Sequence, residues 1–387
     1  MAWKVPFVNY PAQFREMEPE IMDTIRTVLS CGNLMLRQEL IDFEEHLAKF
    51  VGTKYAVGVS NCTDGLHLSL RAAGVGSGDQ VITVSHTFVA TVEAIHHSGA
   101  APVLVDIGED HNMNVELVEQ AITPKTKAIL PVHLNGRVCA MDPLMDLAEK
   151  HKLLVIEDSA QALGASYRGT KGGGFGLAGC FSFYPAKLLG AFGDAGAVVT
   201  NNAVIADKLR SLRDHGRTQS GDIAGWSFNC RLDNLQAALL DLKLKQLPAW
   251  LDRRREIAQM YHEGLSALPQ LVLPPAPASN GLWFDVFQNY EIEAEDSSRL
   301  VAHLRSNGIE IMLPWGGKGV HQFQVLGLGH FKLPRTERMF QRALFLPLHV
   351  ELADWQAEYV AETVRLFYRG TKCSSTKSRA SAVMSKN

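Results

Sequence analysis

None of the six cysteines stands two residues from another: at positions 31, 62, 139, 180, 230 and 373 they are too scattered to form a CxxC pair. That spacing offers neither a zinc ribbon nor a disulfide framework, and the apolar or strand-like surroundings of several suit reduced, buried thiols. An excess of one charge is also missing, since 38 Lys and Arg face 41 Asp and Glu for a net charge of -3. With no basic run interleaved with aromatics, there is no electrostatic case for nucleic acid or an anionic membrane as partner. No apolar run reaches membrane-spanning length, and the opening MAWKVPFVNYPAQF has no charged segment followed by an apolar one. A cytoplasmic protein is therefore expected. The glycine cluster Gly74-Val75-Gly76-Ser77-Gly78 precedes a strand-like run instead of leading from a strand into a helix. It reads as a turn, not a dinucleotide fingerprint. His96, His97 and His133 show no ligand spacing with nearby Cys or carboxylates, so no metal site is expected.

What is present describes a large soluble chain. At 387 residues it exceeds one ordinary core, and 46% hydrophobic with 20% charged residues fits a globular fold of two domains. Residues 16–50 carry apolar positions at helical spacing and predict two helices joined at Cys31-Gly32-Asn33. From residue 55 a rhythm sets in, with strands over 55–59, 81–84, 103–106, 128–133 and 153–158 and helices from about Leu66, then over 88–97, 115–121 and 143–151. Strand and helix in alternation predict an α/β fold with a mostly parallel sheet covered on both faces. Ligands of such sheets bind beyond the carboxyl ends of the strands. Two places there stand out. The turn Ser60-Asn61-Cys62-Thr63-Asp64-Gly65 leads from a strand into a helix, where free N–H groups and hydroxyls suit a phosphate, although plain capping by Thr63 or Asp64 reads equally well. Asp158 closes the apolar run LLVIED, as a helix cap or as a site carboxylate.

The stretch GCFSFYPAKLLGAFGDAGAVVT (179–200) sets Lys187 between two strand-like segments, 180–184 and 196–200, among Phe181, Phe183, Tyr184, Leu188, Leu189 and Phe192. A hydrated ammonium is costly there unless it is partnered or used covalently. Desolvation lowers its basicity and makes it a nucleophile able to form a Schiff base. A surface lysine whose stem covers apolar neighbours is the competing reading. Further on, Leu235, Ala238, Leu239 and Leu242 mark a helix ending before Pro248, and a long helix follows through 253–265. The proline-rich stretch 271–281 reads as a connector to a strand (286–294), a helix (297–308) and a last helix (353–367). The expected division is an N-terminal segment and large domain over 1–247, a small α+β domain over 248–372 and a disordered tail over 373–387.

Five stretches in order, VSHTFVATVEAI (84–95), PVHLNG (131–136), VIEDSAQALGA (155–165), FSFYPAKLLGAFGDAGAVV (181–199) and SFNCRLDNLQAALL (227–240), resemble the DegT/DnrJ/EryC1/StrS sugar aminotransferases. The resemblance runs from about Val5 to about Phe367. It implies the aspartate aminotransferase fold (fold type I), with pyridoxal 5′-phosphate (PLP) as cofactor. It further implies transfer of an amino group from an amino acid, L-glutamate first, to a keto group of a nucleotide-linked deoxy sugar by ping-pong transamination. Residue by residue, Lys187 matches the lysine that carries PLP as an internal aldimine, and Asp158 matches the carboxylate facing the pyridine nitrogen. Gln161 and Phe88 match the residues on the two faces of the ring. Cys62, Thr63 and Ser182 match the phosphate site, and Asn229 matches a residue reaching the phosphate of a partner subunit, which implies a homodimer with shared sites. Trp315, Lys318 and His321 lie where relatives approach substrate. Cys62 replaces a usual glycine and Asn135 a frequent tyrosine, differences that bear on the substrate and leave the cofactor chemistry intact. Other readings are amination of a cyclitol or another natural-product ketone, and a PLP-binding regulatory dimer without activity.

Overall fold

Seven strands form the central sheet: β1 (Tyr55–Val59), β2 (Gln80–Val84), β3 (Ala101–Val105), β4 (Thr126–Ile129), β5 (Leu154–Asp158), β6 (Ala178–Ser182) and β7 (Gly196–Thr200). Their order is β1-β7-β6-β5-β4-β2-β3, and β7 alone runs against the rest. This computed structural model of the chain describes residues 3–277 and 281–383. Both faces of the sheet are dry, because neighbouring residues of a strand point to opposite sides. Val155 and Ile129 join a core with Leu40, Leu144 and Leu240. Ile156 and Ala128, next to them in sequence, join the opposite core with Leu66, Ile95 and Val198. The α/β fold with a mostly parallel, covered sheet expected from the sequence is what these layers build.

A second body has its own core of Val5, Ile257, Tyr261, Tyr290, Ile292, Leu344 and Val364. Its sheet pairs Tyr290–Ala294 with Leu271–Val272 and Ala343–Leu346, all antiparallel, against the helices Ser297–Ser306 and Asp354–Val383. Two features depart from the division expected at 247. The helix Leu247–Leu265 belongs to both bodies, Leu247 and Leu251 packing in the large core and Ile257, Tyr261 and Leu265 in the small one. The start of the chain packs on the second body too, through a parallel bridge between Val5 and Ile309.

Element limits moved for identifiable reasons. The helix expected from Leu66 begins at Cys62, because Asn61 caps it by accepting from the Asp64 N–H at 2.8 Å, so neither Thr63 nor Asp64 is the cap. Pro248 does not merely end one helix. It sits in the first turn of the next, where its missing N–H needs no partner. The last helix runs to Val383, past the expected end of ordered chain at 372, since no Pro or Gly follows Gly370 to stop it. Residues 384–387 of the expected tail lie outside the described residues.

Candidate active site

The carboxyl ends of the strands open into a cavity of about 740 Å³ between the two bodies. Cys62, Thr63, Phe88, Asp158, Gln161, Ser182, Lys187 and Trp315 all line it. Three others expected at the site do not. Asn229 is exposed and outside the lining, its backbone bridged to Asp214. Lys318 is also exposed and outside the lining. His321 is buried, because the short turn Val320–Gln322 aims its ring into the fold; Nδ1 lies 2.6 Å from Ser85 Oγ and Nε2 3.3 Å from Glu337 Oε1. It fastens a loop and does not face substrate space.

One wall of the cavity is an anion cradle. Strand β7 brings Gly196 opposite both Val59 of β1 and Ser182 of β6, so the start of the helix Cys62–Ala72 lies against the Ser182 end of the sheet. The approach is close enough to require glycine: a Cβ on Gly196 would stand 2.5 Å from the Asn61 carbonyl carbon and 2.7 Å from the Cys62 nitrogen. First-turn N–H groups have no partner within their own helix, and those of Cys62 and Thr63 stand at the positive end of this one. A phosphate fits that set of donors.

Deeper in stand the lysine and the carboxyl. Lys187 lies in the loop between β6 and β7, as the sequence indicates, with Phe181, Phe183, Leu188 and Leu189 buried around it, whereas Tyr184 and Phe192 turn out to be exposed. Burial pushes its basicity below that of an ordinary lysine, and the Asp158 carboxylate and Cys62 thiol act in the opposite direction. Asp158, at the end of β5, is held by Thr91 Oγ1 at 2.7 Å and by the Ala160 N–H at 3.1 Å. Burial nonetheless raises its pKa, against those hydrogen bonds and the Lys187 charge. A buried carboxyl in this state lacks a full cationic partner, and a protonated pyridine nitrogen is one. The cradle, the lysine and the carboxyl therefore fit PLP on the chain's own geometry.

The remaining walls combine Gln161, Phe88 and Trp315, expected from the resemblance, with Thr91, Arg254 and Gln288, which the sequence reading did not name. Gln161 is fixed by the Asn135 N–H, 2.7 Å from its Oε1. Phe88, at the start of the helix Val89–His97, is 57% exposed, and its ring lies 5.7 Å from that of Trp315, forming an aromatic wall with it. Thr91, Arg254 and Gln288 also line the cavity. Thr91 is one helical turn from Thr87 in the run TFVAT (87–91), with its hydroxyl 2.6 Å from that of Thr87, but its partnership with Asp158 is tertiary. Gln288 interrupts the apolar pattern of VFQNYEI, the one local sign that it had a polar task.

Comparison with known proteins places the chain in a family. The profile of the DegT/DnrJ/EryC1/StrS aminotransferase family matches residues 15–365. The chain is 38% identical to a pleiotropic regulatory protein of Geobacillus stearothermophilus, over 94% of this chain and 99% of that one. It is 40% identical to dTDP-3-amino-3,4,6-trideoxy-alpha-D-glucose transaminase of Streptomyces venezuelae, over 94% and 96% of the two chains. It is 39% identical to UDP-N-acetyl-3-dehydro-alpha-D-glucosamine 3-aminotransferase of Acidithiobacillus ferrooxidans, over 95% and 98%. Among solved structures, S. venezuelae DesV in complex with a ketimine intermediate superposes with a TM-score of 0.90 at 39% identity, covering 95% of this chain and 99% of that one. The chain belongs to the DegT/DnrJ/EryC1/StrS aminotransferase family and is an aminotransferase whose cofactor is PLP.

Proposed function

We propose that the chain moves an amino group from an amino acid, L-glutamate, to the keto group of a nucleotide-linked deoxy sugar. The observation that carries this reading is the convergence of a lysine of lowered basicity, a buried carboxyl and a helix N-terminus on one cavity. PLP, when bound, supplies the electron sink for removing a proton beside the amino group. In this reading the N–H groups of Cys62 and Thr63 and the hydroxyl of Ser182 hold its phosphate. Asp158 would pair with a protonated ring nitrogen, and Gln161 and Phe88 would hold the ring. Lys187 Nζ, its basicity lowered by desolvation, would take the substrate proton and return it one position away. The cavity volume admits a substrate larger than an amino acid, and relatives named for dTDP and UDP sugars support a nucleotide sugar. Trp315 then stands where the sugar enters.

The active unit in this reading is a homodimer. Phe88 and Tyr184 at the cavity are more than half exposed, and Trp226, in the same segment as Asn229, is fully so, as suits surface that a second copy covers. Asn229 would reach the phosphate bound by the partner. The name of the Geobacillus relative, a pleiotropic regulatory protein, favours a regulatory role as second reading. Lys187 and Asp158 are both present, and a regulator without activity needs neither. Incubating the purified protein with L-glutamate separates the two: an aminotransferase converts its visible absorbance to that of the aminated cofactor and releases 2-oxoglutarate, whereas a regulator leaves both unchanged. Nucleotide keto sugars and cyclitol ketones offered to the aminated form then identify the acceptor class.

A further inference from the structure

We infer that Gln288 is a positioning residue for Lys187, its side-chain amide clamping the two peptide groups that flank the lysine. Oε1 of Gln288 accepts from the Leu188 N–H at 2.9 Å, and Nε2 donates to the Ala186 carbonyl at 2.9 Å. The amide thus pairs with Lys187's neighbours as an adjacent strand would, in a loop that has no ladder of its own. Lys187 N–H donates to the Tyr184 carbonyl at 2.8 Å, so the backbone is tied on three consecutive residues. The direction of the lysine side chain is fixed at its root. The clamp is itself anchored: Gln288 is buried, and Arg254 donates to the carbonyls of Phe287 at 3.0 Å, Gln288 at 2.8 Å and Leu348 at 2.9 Å. Arg254 lies on the helix Leu247–Leu265, which belongs to both bodies, so the reactive lysine of the large body is held from their junction. An apolar residue of the same length would leave the Ala186 carbonyl and the Leu188 N–H without partners and free the loop to shift.

This inference rests on Lys187 being the lysine that binds PLP, and the test separates the two claims. Cofactor-free wild type, Gln288→Met, Gln288→Glu and Lys187→Ala are mixed with PLP. Capture is followed by absorbance, then by borohydride reduction and peptide mass, alongside melting temperature and steady-state kinetics. Gln288→Met is expected to capture PLP about 10-fold more slowly and to lose kcat by up to about 10²-fold with little change in the KM for the amino donor, as a small misplacement of a reacting group does. Gln288→Glu adds a pH signature: its deficit relative to wild type shrinks as pH falls, because a protonated carboxyl again offers one donor and one acceptor. A Gln288→Met protein with wild-type melting temperature, capture rate and kcat overturns the clamp. If that variant does not fold, a Gln288→Glu deficit that is the same at every pH overturns it. PLP trapped on another lysine in both wild type and Lys187→Ala overturns the assignment of Lys187 instead.

Discussion

Burial disfavours the charged forms of both Lys187 and Asp158, and each charge in turn supports the other. The sign of that coupling is testable. The rate of PLP capture by the cofactor-free protein should rise with pH, with a midpoint below the ordinary lysine value of 10.5. Asp158→Asn should move the midpoint lower still, since the carboxylate is what raises it. The same variant should keep much of its PLP binding and lose transamination by at least about 10²-fold, the lower range of a positioned acid or base. Near-normal turnover would contradict the role given to Asp158. Both residues stood out in the sequence, a cation in an apolar run and an acid closing an apolar strand, but each kept a plain structural reading until the resemblance chose between them. His321 carried no such signal, and its place inside the fold is decided by Ser85, 236 residues away. Thr91 was hidden for the same reason, and Gln288 showed only as a polar break in an apolar run, since the partners of both are tertiary.

At the scale of elements, the alternation of strand and helix gave the layers, and the limits moved where side-chain caps or a proline in a first turn decided them. The strand Tyr290–Ala294 shows what alternation alone misses. Tyr290, Ile292 and Ala294 face the small core, but Glu291 and Glu293, which read as a wet face, are buried against the large body. There His111 bridges them, Nδ1 at 3.0 Å from Glu291 and Nε2 at 3.1 Å from Glu293, with His86 3.2 Å from Glu291 and Arg342 3.2 Å from Glu293. Burial opposes the charge on His111, yet the two carboxylates raise its pKa to about 10 and their own values fall. A raised imidazole stabilises the fold fully below its ordinary value of 6.5, and the effect is lost as pH rises towards about 10. The lowered carboxylates stabilise it above 4.5 and lose the effect as pH falls through their folded values. His111→Asn, which breaks a buried pair, should therefore cost about 3 kcal/mol between those two ordinary values and progressively less towards pH 10. Denaturant unfolding across that range checks it, and a cost independent of pH would contradict a charged bridge.

For the whole molecule, the proposal that each site is shared between two chains makes a quantitative prediction. Asn229→Asp would set a carboxylate against the partner's phosphate, and Lys187→Ala removes the reactive amine, so each variant alone should be inactive. Co-expressed, they should return about a quarter of wild-type activity, since half of randomly paired dimers are mixed and one of their two sites is intact. Mixed dimers seen by mass without recovered activity would contradict the shared site. The central claim, transfer of an amino group to a nucleotide keto sugar through Lys187, is tested most directly with ¹⁵N-labelled L-glutamate. The enzyme is incubated with the donor and a panel of dTDP- and UDP-linked keto sugars, and the sugar products are weighed by mass spectrometry. One sugar should gain a single ¹⁵N amino group with wild type and none with Lys187→Ala. Conversion of glutamate to 2-oxoglutarate with no label in any nucleotide sugar, or labelled product from Lys187→Ala, would contradict it.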